Sequence, residues 1–319
     1  MDSQTLKALG YDEIIERLIR LARMPEARRR LACPVFPEMG GLSLLHDETE
    51  AALVAGRSLG WPQFPDTDIL GIVALALPLD ACLAPEELLQ VAVWCRQLAP
   101  IVTWRETARS CQTGPSILDP DFARVQPPSG LAEAISRAID SHGEIVDAAS
   151  SELARIRREM RELAVRASRI LQRMLSDSRY EDLWQDRIIS VRDGRHVVPI
   201  KVSMTGRLRG IILDRSASGE TLFIEPDAVI AIDNGIKELE LAENRELRRI
   251  MTDLTTRVRD AGHALGAMTE TLSGLDCIFA RARLADQLGA VRPEFGDTAD
   301  ELNLTSARHP LLACTPVPI

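Results

Sequence analysis

The sequence predicts a mainly helical protein with a small antiparallel β module inserted between two long helices. Three observations carry that prediction. Only 4% of the 319 residues are aromatic, while Ala, Leu, Arg and Glu recur throughout, a composition suited to helical surfaces rather than β-sandwiches. Two long stretches repeat apolar residues in steps of three and four. Between them lies a block rich in β-branched residues and punctuated by Gly turns.

In chain order, Leu6, Leu9, Ile14, Ile15, Leu18 and Leu21 keep helical spacing within a segment running from Ser3 to Leu31, with Tyr11-Asp12 as an internal start. Pro34 and Pro37 stop it. A second helix is expected over Leu42 to Leu59. A third opens at Pro85-Glu86-Glu87 and runs to about Arg109, with Pro in the first turn and two acids at the positive helix end. Residues 1–126 therefore read as a helical core domain, and Gly114-Pro115, Pro120 and Pro127-Pro128 mark its exit.

Val146, Ala149, Leu153, Ile156, Met160, Leu163, Ala167, Ile170 and Met174 then follow an unbroken a/d seam. A helix from Ser129 to about Ser176 would be roughly 70 Å long at 1.5 Å per residue, and residues 127–186 are assigned to this outgoing arm. The period next switches to two. Four strands are expected at Arg187 to Val191, His196 to Val202, Leu208 to Leu213 and Thr221 to Ile224, separated by Asp193-Gly194, Thr205-Gly206 and Ser218-Gly219 turns within the β module 187–225. Pro226 reopens a helix, and Val258, Ala261, Leu265, Met268, Leu272, Leu275, Phe279 and Ala282 form a second seam in a returning helix over 226–290. The simplest arrangement pairs the two seams as an antiparallel coiled-coil arm. The alternative pairs each with another chain or with the N-terminal helices. Residues 291–319, with Leu302-Asn303-Leu304 and Arg308-His309-Pro310-Leu311-Leu312, read as a strand and turn entering a further domain.

Composition excludes several function classes. Lys occurs only at positions 7, 201 and 237, never after Gly, so this chain contains no G-x-x-x-x-G-K-[ST] phosphate loop. The cysteines Cys33, Cys82, Cys95, Cys111, Cys277 and Cys314 form no C-x-x-C pair, as expected of a reduced cytoplasmic protein. No run of about 18 apolar residues is present, so no membrane span is expected. His46, His142, His196, His263 and His309 share no ligand spacing, which leaves metal binding without a motif. Ser216-Ala217-Ser218-Gly219-Glu220 lacks the G-x-S-x-G frame of a nucleophile and reads as a turn. Asp214 and Glu225 are the candidates for a carboxylate pair, but nothing in the sequence places them together.

The net charge of −9 is unevenly spread. Between Arg187 and Arg215, the basic residues Arg187, Arg192, Arg195, Lys201, Arg207, Arg209 and Arg215 are accompanied only by Asp193 and Asp214, a local +5. Planar guanidinium groups suit phosphate oxygens, and backbone contacts need charge and reach rather than a base-reading helix. A phosphate-contact surface and a solvated basic surface both fit this count. The arginines of the outgoing helix, Arg155, Arg157, Arg158, Arg161, Arg166, Arg169 and Arg173, lie among Glu152, Glu159 and Glu162, with pairs such as Glu152 to Arg155 and Glu162 to Arg166 at i, i+3 and i, i+4 spacing; a solvated coiled-coil flank explains most of this pattern, and a nucleic-acid role is the alternative.

The segments Gly194 to Lys201 and Gly210 to Pro226 resemble the signature of the second bacterial branch of the MutS family, with further likeness in Leu275 to Ala282, Ala307 to Leu311 and Leu6 to Leu18. The resemblance spans nearly the whole chain. Leu213 departs from it, standing where this branch often carries His. Phe36-Pro37-Glu38 and Phe223-Ile224-Glu225 resemble the F-x-E wedge of the mismatch-repair branch, but the first lies in a Pro-rich break and the second inside the signature. The resemblance implies core and lever helices around a clamp-like β insert, with an ABC-type ATPase domain, using ATP and Mg, and a small MutS-related nuclease domain beyond this N-terminal portion. It implies binding of branched or double-stranded DNA, suppression of recombination or action on stalled ribosomes, and a homodimer of the whole protein. The portion itself is expected to bind no cofactor and to catalyse nothing. The competing reading is a structural coiled-coil dimerisation scaffold that never touches nucleic acid.

Overall fold

The computed structural model describes residues 6–7, 10–33, 39–111, 117–294, 303, 305 and 309–311. It is mainly helical, with one small four-stranded antiparallel sheet among the described residues. The chain divides into two compact units, one formed by Met1–Ser136 with Leu254–Ile319 and the other by Arg137–Asp253.

In the first unit, α1 (Tyr11–Leu21) and α2 (Pro25–Ala32) replace the single helix expected from Ser3 to Leu31. Pro25 at the first helical position is the cause: it cannot donate to a preceding turn, and Met24 before it is extended. The buried Asp276 carboxylate accepts from the backbone N–H groups of Arg23 (2.7 Å) and Met24 (2.8 Å), satisfying donors that the break exposes. There follow α3 (Met39–Leu59), α4 (Leu70–Ala76), α5 (Pro85–Ser110) and α6 (Asp119–Ala123). At the start of α5, Pro85 occupies the first turn and the Glu87 carboxylate accepts from Ala84 N–H at 2.7 Å, as the Pro-Glu-Glu string predicts.

The core of this unit is built on Phe279, which is fully buried. Its ring meets Trp61 at 6.5 Å, Phe64 at 5.8 Å, Trp104 at 5.4 Å and Phe122 at 6.1 Å, mostly edge to face. Phe279 belongs to the second seam, so at this position the seam packs on the N-terminal helices. Cys277 Sγ to Ala27 O (3.6 Å) and Arg283 Nη1 to Leu21 O (2.9 Å) mark the same contact. Heptad spacing specifies a buried stripe but not its partner, and aromatic side chains from several helices fill this one.

The second unit begins within α7 (Leu131–Ala138). The expected continuous helix from Ser129 to Ser176 is broken here. Asp140 accepts from His142 N–H (2.8 Å) and Glu144 N–H (3.0 Å), Gly143 adopts φ 85°, and Ile139 bridges Ile145. A 3-10 turn, Asp147–Ala149, then leads to α8 (Ser151–Ser176). Ser150 caps it by accepting from Leu153 N–H at 2.9 Å. The helix is therefore about 39 Å long.

A 3-10 segment, Ser178–Leu183, connects α8 to β1 (Ser190–Arg192), β2 (Arg195–Lys201), β3 (Gly210–Arg215) and β4 (Thr221–Pro226). The order across the sheet is β1-β2-β4-β3, all neighbours antiparallel. Asp193 (φ 50°) and Gly194 (φ 72°) form the two-residue turn that the Asp-Gly pair demands. Leu213 is the extra residue of an irregularity between Ile212 and Asp214, and its side chain is half-buried. Gly210 lies so close to the backbone of Glu225 and Pro226 that any side chain there would collide with it.

From the sheet the chain enters α9 (Asp227–Leu288), which contributes to both units. Its first turns face α8 in antiparallel order. Leu163 approaches Gly235, Arg157 pairs with Glu243 at 2.6 Å, and the Ser150 hydroxyl donates to Glu246 at 2.6 Å. Ala167, Leu171 and Leu175 of α8, Val198, Ile200, Leu222 and Ile224 of the sheet, and Val229, Ile232 and Ile236 of α9 share one apolar core. After Ala167 the buried positions of α8 step by four, while the predicted seam residues Ile170 and Met174 pack against the same core partly buried. The segment after α9 lies mostly outside the described residues, as do Phe36-Pro37-Glu38 and Cys314.

Candidate nucleic-acid interface

The seven basic residues of the β module separate into two kinds once their surroundings are seen. Arg195, at the start of β2, is a structural cation. Its Nη1 donates to both oxygens of the fully buried Glu225 carboxylate at 2.8 and 2.9 Å, and its Nη2 donates to Asn234 Oδ1 at 2.9 Å. Beside it, Asp233 accepts from the His196 N–H at 2.9 Å and meets its Nδ1 at 2.6 Å. Four ionisable groups and one amide thus join the strands to the first turns of α9. Burial pushes the Glu225 carboxyl above the usual carboxylate range, opposed by the Arg195 guanidinium.

The remaining basic groups face solvent to differing degrees. Arg192 on β1 stacks over the Phe223 ring at 4.7 Å and lies 3.7 Å from Asp214, and Arg187 pairs with Glu181 at 2.5 Å. Around the edge strand β3, Arg207, Arg209 and Arg215 are exposed. Arg215 Nε donates to Gly219 O at 3.2 Å, Arg207 touches only Met204 Sδ at 4.0 Å, and no acidic partner reaches Arg207, Arg209 or the half-buried Lys201 among the described residues. Ile211 and Ile212 of β3 are also about half exposed, at 47% and 49%.

The structure separates the one carboxylate pair considered from sequence. Asp214 is exposed beside Arg192, whereas Glu225 is buried against Arg195. Among the described residues no group of three or more His, Cys, Asp or Glu side chains could hold a metal ion. No helix among them is long and apolar enough to cross a membrane. The His196–Asp233 contact escaped the sequence reading because the two residues lie 37 positions apart with no spacing signal. Its only trace was the presence of Arg195, His196 and Glu225 in the segments that carry the family resemblance.

Comparison with known proteins decides the family. The chain is 34% identical over 314 residues to the Endonuclease MutS2 of Brevibacillus brevis, a match covering 98% of this chain and 40% of that protein. It is also 34% identical over 338 residues to the Endonuclease MutS2 of Thermomicrobium roseum, covering 100% of this chain and 42% of the relative. The chain belongs to the second bacterial branch of the MutS family. A 38% identical stretch of 204 residues in the Halothermothrix orenii Endonuclease MutS2 agrees. No protein-family model matches the chain. This MutS-family chain spans about two fifths of the length of the curated relatives it matches.

Proposed function

We propose that the sheet and the helices flanking it form the nucleic-acid-contacting arm of a MutS-type ATPase, with 127–186 and 226–290 as lever, 187–225 as clamp, 1–126 as core and 291–319 as the linker onward. The observation that carries the reading is the group of outward-facing cations on and beside β3, Arg207, Arg209 and Arg215, with Lys201 at the end of β2. Arginines without acidic partners are available to phosphate oxygens, and sequence-independent backbone contact is what such a group supplies. Arg195 takes no part in this contact and instead holds the sheet to α9. Branched DNA and ribosomal particles are the targets, the whole protein is a cytoplasmic homodimer, and ATP, Mg and cleavage chemistry belong to its remaining length.

The test is a triple replacement, Arg207→Gln, Arg209→Gln and Arg215→Gln, with binding to a four-way DNA junction and to 70S particles measured across salt concentration. Each lost phosphate contact flattens the log–log salt dependence by about 0.9 on duplex DNA, so a drop of roughly 2 to 3 is expected. An unchanged slope on both targets would refute the arm reading. Salt-independent self-association without any nucleic-acid binding would instead establish the scaffold.

A further inference from the structure

Helix α8 changes character halfway along. From Ser151 to Glu162 its four arginines are balanced by three glutamates and tied up: Arg155 bonds Glu152 and Glu159 at 2.7 Å, Arg157 bonds Asp147 and Glu243, Arg161 reaches Asp147 at 3.4 Å and Arg158 lies 4.0 Å from Glu162. From Leu163 to Ser176 there are three arginines and no acid. Arg166, Arg169 and Arg173 are exposed, and no hydrogen bond or ion pair joins their side chains to another described residue.

Their positions are ordered. Spacings of three and four place all three on one stripe. At 100° per residue, that stripe lies roughly opposite Ala167, Leu171 and Leu175, the residues through which α8 enters the core shared with the sheet. The stripe is therefore a different face from the β3 cations. The negative end of the helix accounts for a cation at Arg173, but its influence does not extend beyond the last turn to Arg166 or Arg169.

We propose that Arg166, Arg169 and Arg173 form a second phosphate track that takes the backbone of double-stranded DNA. Seven residues of helix span about 10 Å, and one strand of duplex DNA presents a phosphate about every 3.4 Å of axis, so the stripe matches about three consecutive phosphates. A run of guanidinium groups with the nearest acids in sequence a turn away on either side, at Glu162 and at Asp177, the latter paired with Arg179, supplies the charge complementarity. The choice of DNA as occupant rests on the nucleic-acid reading above, but the residues do not overlap with those around β3.

The experiment compares four forms of the 319-residue chain on one fluorescent 30-base-pair duplex between 50 and 200 mM salt: unaltered, R166Q/R169Q/R173Q, R207Q/R209Q/R215Q, and all six replaced. Three lost contacts change the affinity ratio across that salt range by roughly 40-fold, and the two triple replacements should add. A β3 variant that weakens while the α8 variant matches the unaltered chain overturns the track and leaves the arm reading standing. Two inert triple variants overturn both. An α8 effect on duplex RNA or 70S particles but not on DNA overturns the assignment of the occupant. Should the α8 triple variant fail to give a native thermal transition, Arg169→Gln alone is expected to change that ratio by about 3.5-fold.

Discussion

Replacing Arg195 with Met tests whether the sheet is held to α9 by charge. The substitution keeps most of the aliphatic stem but leaves the Glu225 carboxylate, with no exposed surface, facing Asp233 without its counter-ion. Breaking a buried pair from one side costs about 3–5 kcal/mol, and the lower end applies because the Arg195 side chain is 26% exposed. Asn234 also loses its donor. About 3 kcal/mol corresponds to a roughly 150-fold larger open population, read as faster amide hydrogen exchange along β2 and β4. The pH dependence is distinctive. The Glu225 carboxyl already lies above its ordinary value of 4.5, and losing Arg195 raises it further. Stability dependent on a raised carboxyl is intact below that ordinary value and is lost as pH rises through the folded one. The variant should therefore be closest to the unaltered protein near pH 5 and furthest near pH 8. Adding Glu225→Gln removes the stranded charge and should recover at least half of the loss. A penalty below about 1 kcal/mol, or one equal at both pH values, would refute the reasoning.

Two further outcomes follow from the helix ends. Glu246, held down to about 2 by Arg249 and then by the Ser150 hydroxyl, lends stability present above its ordinary value of 4.5 and lost as pH falls toward 2; in urea unfolding titrations, Glu246→Gln should flatten that acid limb. Asp276→Ala strands the buried N–H of Met24 and the N–H of Arg23, for a loss of about 2–4 kcal/mol in the first unit, measured by thermal unfolding, with Asp276→Asn recovering part of it.

The strands were legible because their signals are local. Alternating apolar residues set each run, and Asp193-Gly194, Gly206 and Gly219 all adopt the positive φ that marks their turns, so only the ends moved by a few residues. The pairing order β1-β2-β4-β3 and the residue partners of Arg195 were not legible. Both depend on which strand lies against which, and Arg195 and Arg209 look alike until burial distinguishes them. Similarly, the seam around Phe279 announced a buried stripe, but its partners lie more than 150 residues earlier. The Asp140 turn escaped because a periodic apolar pattern masks a short break whose cause is one side chain bonding to the backbone.

The division of the first unit into two separated segments has a consequence for the order in which the protein is made. Trp61, Phe64, Trp104 and Phe122 leave the ribosome long before Phe279, the residue around which they gather. At about 5–20 residues per second, synthesis of the intervening stretch takes roughly 10–30 s. The second unit is contiguous and completes within that interval, so the middle of the chain holds its structure while the N-terminal segment still waits for its centre. Newly made N-terminal helices spend that time with their aromatic side chains uncovered, a window in which chaperone capture or aggregation competes with native closure.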